Sequence, residues 1–220
     1  MNIGILGTGM VGETIGSALI TKGHKVKMGS RNAVNSIATS WVDKNGSNAS
    51  QGTFADAATF GEIVFLCLNG EHAKNAVEMA GPGSFENKLV IDVTNPLDFS
   101  RGMPPAMIPS LSNTTSLGEQ IQAYLPQAKV VKALNTVTAK LMVDASLLNG
   151  GDSNLMICGN DADAKAQVKE FLSREFGWRS DNIIDLGDIT GARNTEAFVT
   201  LWVRMMQTLG TPMFNIKIVQ

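Results

Sequence analysis

Three glycines near the start of the sequence are spaced for binding a phosphate-bearing ligand. Gly7, Gly9 and Gly12 directly follow the apolar run at residues 2–6 and open a helical pattern. In this arrangement the first glycine permits a tight turn, the second lets the backbone approach a pyrophosphate, and the third lets helix and strand pack closely. The helix then points its N-terminal N–H groups at the phosphates. The segment therefore predicts a dinucleotide site.

The segment after the second predicted strand indicates which dinucleotide binds. Proteins that bind NAD place Asp or Glu there to hydrogen-bond the ribose hydroxyls. This sequence has Ser30 and Arg31 instead, with no carboxylate between Met28 and Asn32. A guanidinium can pair with a 2′-phosphate and a serine hydroxyl can donate to it, whereas a carboxylate would repel it. NADP is therefore the predicted cofactor, and an ordinary polar turn is the alternative interpretation.

Polar side chains also follow three later strands, at Asn69, Asn95 and Asn135. Because ligands bind outside the carboxyl ends of parallel strands, we expect these amides to hold the nicotinamide ribose and carboxamide. His72 lies in the same group of segments and is a weak candidate for a catalytic proton donor. A helix-capping or surface role explains that histidine equally well, so the sequence leaves the catalytic residue undefined.

Composition and patterning argue against several other classes of protein. The net charge is -2 and Lys and Arg are not clustered, so nucleic acid is not an expected partner. Cys67 and Cys158 each lie within an apolar run and are expected to be buried, reduced thiols. No His/Cys cluster has the spacing of metal ligands, and no segment predicts a signal peptide or a membrane span. We therefore expect a cytoplasmic protein with no metal site.

The elements that would position these residues alternate between apolar strand-like runs and helical patterns, as in βαβ units. Strands are expected at 2–6, 24–28, 51–54, 62–68, 89–93, 130–135, 154–158, 183–187 and 214–219, and helices near 11–22, 34–42, 55–60, 71–80, 117–124, 162–176 and 192–209. This order predicts an α/β fold with a doubly wound, mostly parallel sheet of the Rossmann type and a small α/β C-terminal extension.

Two further segments carry expectations of their own. Residues 97–115 are rich in Pro, Ser, Asn and Thr and predict a long loop, which in a compact domain is usually a lid or a binding loop. The helix at 192–209 has apolar residues around much of its circumference, so it must be buried on more than one side. A homodimer interface would bury it, and packing within the C-terminal region is the alternative.

The ordered set of motifs resembles the deazaflavin (coenzyme F420)-dependent NADP oxidoreductases over essentially the whole chain. The segments that carry the resemblance are GILGTGMVGETIG, GSRN, GEHA, DVTNP, KALNT and DLGDITGARNTEAFV…GTPMFNIKIV. The resemblance implies an NADP-binding Rossmann domain at 1–150, a small C-terminal substrate or dimerisation region at 151–220, and a homodimer. It also implies that NADP is held by Gly7, Thr8, Gly9, Met10, Val11, Ser30 and Arg31.

Within that family, hydride passes directly between stacked nicotinamide and deazaflavin rings, so geometry does most of the catalysis and no strong general acid is needed. The predicted function is thus hydride transfer between NADPH and a second small-molecule acceptor. Alternative acceptors are a flavin, a ferric chelate or a small carbonyl. A carbonyl reductase needs a proton donor, so replacing His72 should then abolish activity. A non-catalytic NADPH sensor is a further alternative, which would need no open face over the nicotinamide.

Overall fold

The computed structural model describes residues 1–219. Its strands are β1 (Asn2–Leu6), β2 (Lys25–Ser30), β3 (Ala49–Thr53), β4 (Ile63–Leu66), β5 (Leu89–Asp92), β6 (Leu97–Asp98), β7 (Ala106–Met107), β8 (Lys129–Lys132), β9 (Leu155–Gly159) and β10 (Ile183–Asp185). Its α-helices are α1 (Met10–Thr21), α2 (Ser36–Asn45), α3 (Phe54–Phe60), α4 (Gly70–Ala80), α5 (Leu117–Tyr124), α6 (Ala139–Val143), α7 (Ala162–Phe176) and α8 (Ala192–Leu209).

Eight of the strands form one sheet, in the order β10-β9-β8-β5-β4-β1-β2-β3. The strands from β3 to β8 in that order run parallel, β9 is antiparallel to β8, and β10 is parallel to β9. Parallel neighbours need a crossover connection, and the helices supply it on both faces of the sheet. The predicted α/β fold with a doubly wound, mostly parallel Rossmann-type sheet is confirmed.

The hydrophobic core lies on the two faces of this sheet. On one face α1, α2, α6 and α7 cover residues such as Ile5 and Phe65, and on the other face α3, α4 and α5 cover residues such as Leu6 and Leu66. Successive strand residues point to opposite faces, so a strand buried on both sides is apolar throughout, as β4 is. The loops at the carboxyl ends of the parallel strands are left to build a site.

The sheet continues beyond residue 150, because β9 and β10 extend it and α8 returns to pack against α5. The division into a domain at 1–150 and a region at 151–220 stays a prediction. No helix within residues 1–219 combines the length and the apolar character needed to span a bilayer.

Residues 214–219 do not form the strand that their alternating apolar residues predicted. A backbone hydrogen bond from the Asn154 N–H to the Ile216 carbonyl (2.9 Å) joins the segment to the start of β9. Side chains make the neighbouring bonds: the Ile218 N–H donates to Asn154 Oδ1 at 2.7 Å, and Asn215 Nδ2 donates to the Asn154 carbonyl at 2.9 Å. Since side chains have taken the place of a backbone ladder, the predicted strand is wrong.

Candidate functional site

Two of the three glycines in the first loop are required by the packing of the chain itself. Gly7 has a φ of +119°, and a Cβ there would lie 2.2 Å from the carbonyl oxygen of Cys67. A Cβ at Gly12 would lie 2.4 Å from the carbonyl oxygen of Gly7. Both positions exclude any side chain, which is why strand, turn and helix can approach so closely here.

Gly9 is different, because nothing in the described chain requires a glycine there. Its φ of -82° and ψ of 177° suit any residue, and a Cβ would meet no atom of residues 1–219 within 4 Å. Gly9 is the N-cap of α1, whose end has no side-chain cap, and the first N–H groups of a helix have no intrahelical acceptors. Open space in front of uncapped N–H groups fits a pyrophosphate.

A small cleft of about 210 Å³ lies on one side of this loop. Its lining includes Thr8, Ser30, Arg31 and Asn69, all predicted site residues, and no carboxylate among the residues that the structure describes. Ser30 is buried and its hydroxyl donates to the Asn32 carbonyl at 2.6 Å, whereas Arg31 is exposed. The serine hydroxyl would have to leave that carbonyl before it could donate to a ligand.

A larger cavity of about 580 Å³ lies on the other side of the loop, and Gly9, Met10 and Val11 line it. Asn69 and its neighbour Leu68 line both cavities. The two spaces therefore meet at Leu68 and Asn69, and the glycine loop contributes Gly7 and Thr8 to one and Gly9, Met10 and Val11 to the other. This arrangement suits a dinucleotide whose pyrophosphate crosses the start of α1.

Asn95 and Asn135, at the ends of neighbouring strands, form a reciprocal pair in the wall of the larger cavity. Asn95 Nδ2 donates to the Asn135 carbonyl at 2.8 Å, and Asn135 Nδ2 donates to Asn95 Oδ1 at 2.9 Å. Asn135 is 3% exposed, and its Oδ1 accepts no hydrogen bond from the described residues. A buried acceptor without a donor is costly, and a carboxamide N–H such as that of nicotinamide would satisfy it.

The backbone around this pair is held in unusual positions. Leu134 is fully buried with a φ of +65°, a left-handed conformation that costs a leucine about 1–2 kcal/mol. This turn ends the backbone hydrogen-bond ladder of β8 at Lys132 and places Asn135 in the cavity wall. A Cβ at Gly70 would lie 2.1 Å from the Asn95 carbonyl oxygen, so only glycine lets the loop after β4 approach the loop after β5.

The structure separates His72 from the asparagine pair. His72 lies in the first turn of α4, is exposed, and lines the small cleft with Ser30 and Arg31. It is not part of the lining of the larger cavity. Sequence reasoning grouped His72 with Asn95 and Asn135 because all three follow strands of one sheet, but the glycine loop lies between the two cavities.

Segments distant in sequence complete the larger cavity. The loop at 97–115 contains the antiparallel ribbon β6–β7, and α8 crosses near it. The lining residues from these two segments are largely apolar: Leu97, Phe99, Met103, Pro105, Val199, Trp202, Val203 and Met206. Sequence reasoning anticipated a covering role for the loop but missed the contribution of α8. Sequence reasoning attributed the apolar surface of α8 to a homodimer interface or to packing within the C-terminal region.

Beneath the cavity wall, Lys132 is fully buried between two buried carboxylates. Its Nζ lies 2.8 Å from Asp92 Oδ2 and 2.7 Å from Glu196 Oε1. The Glu196 carboxylate also accepts from the Leu117 and Gly118 N–H groups at 2.9 Å, at the start of α5. Burial lowers the pKa of Lys132, but the two carboxylates outweigh it and the pKa is raised. The charged cluster fastens α8 to the sheet one turn before Val199.

The two cysteines are inert in this structure. Both thiols are buried and unpaired with each other. Burial, assisted by the nearby Asp92, raises the pKa of the Cys67 thiol, and burial raises the pKa of the Cys158 thiol to about 12. Thiols with such pKa values are poor nucleophiles near neutral pH, although Cys67 also lines the larger cavity.

Comparison with known proteins places this site in a family. The sequence model of the family described as "NADP oxidoreductase coenzyme F420-dependent" matches residues 2–96. A protein of Arthrobacter sp. FB24, provisionally named an F420-dependent NADP-reductase, has a crystal structure similar to this one. It has a TM-score of 0.91 and 42% identity, over 99% of each chain.

Two curated relatives are more distant. The F420-dependent NADP reductase of Methanocaldococcus jannaschii is 29% identical over 148 residues, which are 67% of this chain and 63% of that protein. Metalloreductase STEAP3 of Rattus norvegicus is 27% identical over 196 residues, which are 89% of this chain and 36% of that protein. The chain thus spans only about a third of the metalloreductase and less than two thirds of the archaeal reductase.

The glycine loop, the carboxylate-free cleft and the near-complete match to the Arthrobacter structure agree with one another. The chain belongs to the family of coenzyme F420-dependent NADP oxidoreductases.

Proposed function

We propose that the chain binds NADPH across the glycine loop and transfers its hydride to a planar acceptor, a deazaflavin of the F420 type, in the larger cavity. The observation that carries this proposal is that the two cavities adjoin at Leu68 and Asn69 and that the glycine loop lines both. The adenosine end fits the small cleft of about 210 Å³, and the nicotinamide end fits the larger cavity of about 580 Å³.

Each part of the dinucleotide has candidate partners in this chain. The uncapped N–H groups at the start of α1 would hold the pyrophosphate. Arg31 would pair with the 2′-phosphate, with Ser30 beside it. The unsatisfied Oδ1 of Asn135 would accept the carboxamide N–H, with Asn95 fixing the orientation of that side chain.

Bound NADPH supplies a hydride at its nicotinamide ring, which leaves NADP⁺, while the acceptor gains that hydride and takes a proton from solvent. The chain contributes binding, orientation and the exclusion of water. The polar side chains that line the larger cavity are Asn69, Asn95, Asn135 and Thr138, and no acid or imidazole of the described residues lies among them. Such a lining suits a transfer that depends on geometry.

The shape of the remaining space favours a flat, largely apolar acceptor. Trp202 and Phe99 face the larger cavity from α8 and from the 97–115 loop. Apolar walls with a few amides are typical of sites for conjugated ring systems. A small carbonyl fits less well, because its reduction needs a proton donor near the hydride and His72 lies in the other cavity.

A flavin is the second candidate acceptor. The reduced flavin would then reduce a ferric chelate, and the similarity to metalloreductase STEAP3 over 89% of this chain supports a metal chelate as the final acceptor. A non-catalytic NADPH sensor is the third alternative. A sensor would need no cavity beyond the nicotinamide site, so it does not account for the remaining space.

We also propose a homodimer. α8 buries Val199 and Val203, yet Leu201 and Leu209 on the same helix are 52% and 54% exposed. The exposed face supports a second apolar contact beyond the sheet. Measurement of the molecular mass in solution tests it: a dimer mass supports this proposal and a monomer mass overturns it.

The decisive binding experiment uses Gly9→Ala, followed by the fluorescence of NADPH on titration. Because a Cβ at this position enters the space proposed for the pyrophosphate, affinity should fall at least about tenfold. Stability should change by less than about 1 kcal/mol, since the backbone at Gly9 suits alanine. Gly83→Ala is the matched control, because a Cβ there also meets no atom within 4 Å and Gly83 is absent from the lining of both cavities. Equal affinity in both variants would contradict the proposed cofactor position.

The acceptor is identified by following NADPH oxidation in the presence of F420, FMN, FAD, ferric chelates and small carbonyls, with NADH in parallel. Oxidation with F420 in excess of every other acceptor supports the proposal. Oxidation with FMN or FAD alone replaces the deazaflavin by a flavin, and no oxidation with any acceptor favours the sensor.

A further inference from the structure

The small cleft beside the glycine loop has a polar lining suited to an anion. Its polar side chains come from two walls. The first wall has Thr8, Ser30, Arg31 and Asn35, and the second has Asn69 with His72 and Asn75 of α4. Within residues 1–219 no Asp or Glu lines this cleft. A lining of cationic and hydrogen-bonding groups without a carboxylate is complementary to the negative charge and the acceptor oxygens of a phosphate.

Among the described residues, the first wall offers one cation to a phosphate that carries nearly two negative charges. The Ser30 hydroxyl donates to the Asn32 carbonyl at 2.6 Å, which leaves Arg31 as the cation of that wall. His72 is exposed on the facing helix, and among the described residues its side chain has no hydrogen-bond or ion-pair partner. The imidazole is therefore available to a ligand in the cleft.

The carboxylates near the cleft do not compete with a ligand for this imidazole. The Asp56 carboxylate, on α3, already accepts hydrogen bonds from the Thr53 N–H at 2.8 Å and the Thr53 hydroxyl at 2.7 Å. On α4 itself, Lys74 pairs with Glu78 at 3.9 Å, and the neighbouring Glu71 does not line the cleft.

We propose that His72 is a specificity residue that recognises the 2′-phosphate of NADPH together with Arg31. This inference rests on the proposed function, because it assumes that the adenosine end of the cofactor occupies the small cleft. It assigns His72 to cofactor selection and away from proton transfer at the nicotinamide, since the glycine loop separates it from the Asn95–Asn135 pair.

The test compares the dissociation constants of NADPH and NADH by fluorescence titration. His72→Ala should weaken NADPH binding threefold to tenfold and leave the dissociation constant of NADH within twofold. An effect of roughly that size is expected for a solvent-exposed, charge-assisted contact. His72→Arg, which keeps hydrogen-bond donors at this position, should keep NADPH binding within twofold of the unsubstituted protein. The matched control is Lys74→Ala on the same helix, outside the cleft lining, which should change neither constant by more than twofold.

The ratio of the two constants separates recognition of the phosphate from a general structural role. Equal weakening of NADPH and NADH by His72→Ala would overturn the inference in favour of an adenine or ribose contact. No weakening of NADPH would overturn it outright. Failure of the unsubstituted protein to bind either dinucleotide would overturn the proposed function, and this inference with it.

Discussion

Replacing Lys132 by methionine should destabilise the fold more than any surface substitution. Lys132 is fully buried and contacts Asp92 Oδ2 at 2.8 Å and Glu196 Oε1 at 2.7 Å. Methionine has a similar length but no charge, so two buried carboxylates lose their cation. Breaking a buried ion pair by removing one partner costs about 3–5 kcal/mol. For a chain of this size, that corresponds to a fall in Tm of roughly 6–20 °C.

The stability lost in Lys132→Met should depend on pH, and the ionisation of Glu196 determines the direction. Burial raises the pKa of Glu196, and Lys132 opposes that rise. Without the ammonium the pKa rises further, so the folded variant binds more protons than its unfolded chain near neutral pH. Stability then falls as pH rises, and the deficit relative to the unsubstituted protein should be smaller near pH 5 than near pH 7.

Urea unfolding followed by circular dichroism at both pH values measures these quantities. The matched control is Lys129→Met on the same strand. Lys129 pairs with Asp161 at 3.2 Å, but the two side chains are 42% and 36% exposed. An exposed pair contributes about 0–1 kcal/mol. If Lys132→Met costs no more than Lys129→Met, or if its deficit does not shrink at the lower pH, the reasoning about the buried cluster is refuted.

Three further expectations follow from the geometry. Gly7→Ala should cost at least about 2 kcal/mol in urea unfolding, because alanine is strained at a φ of +119° and its Cβ would overlap a carbonyl oxygen; a loss below 0.5 kcal/mol would contradict this. Cys67 and Cys158 should react with a thiol reagent only after unfolding, and rapid labelling of the native protein would count against their burial. Burial raises the pKa of Glu175, but the hydrogen bond from Arg174 and the nearby His24 outweigh it and the pKa is lowered. Its stabilisation is therefore complete above the ordinary pKa of Glu, about 4.3, and is lost as pH falls through the lowered folded value. Glu175→Gln should thus cost about 1 kcal/mol at neutral pH and nearly nothing in acid, whereas Glu170→Gln, at a position 76% exposed, should have little effect at either pH.

The elements that were predicted correctly depend on interactions between residues close in sequence. The first strand, the glycine turn and α1 depend on residues within a few positions of one another, and they formed as expected. The bounds of α5, α7 and α8 also match the prediction. Asp161 and Ser116 cap α7 and α5, and Gly177 and Gly210 follow α7 and α8 in the left-handed conformation. Capping residues and C-terminal glycines of this kind can be recognised from the local sequence alone.

The parts that sequence reasoning missed depend on tertiary contacts. α8 lines the larger cavity because it packs against α5 and beside the β6–β7 ribbon, which no local pattern indicates. The segment at 214–219 alternates like a strand, yet Asn154 and Asn215 hold it with side-chain bonds. The buried cluster did leave a signal, since Asp92 and Lys132 are charged residues inside apolar strands. Such residues must be paired when buried, so a partner could have been sought.

A crystal structure of the protein with NADP⁺ bound would show directly whether the cofactor lies across the glycine loop. We expect the pyrophosphate to contact the N–H groups at the start of α1 and the 2′-phosphate to lie beside Arg31 in the small cleft. We expect the nicotinamide carboxamide to donate to Asn135 Oδ1 in the larger cavity. A cofactor bound elsewhere, or one whose nicotinamide lies in the small cleft, would contradict the proposed cofactor position.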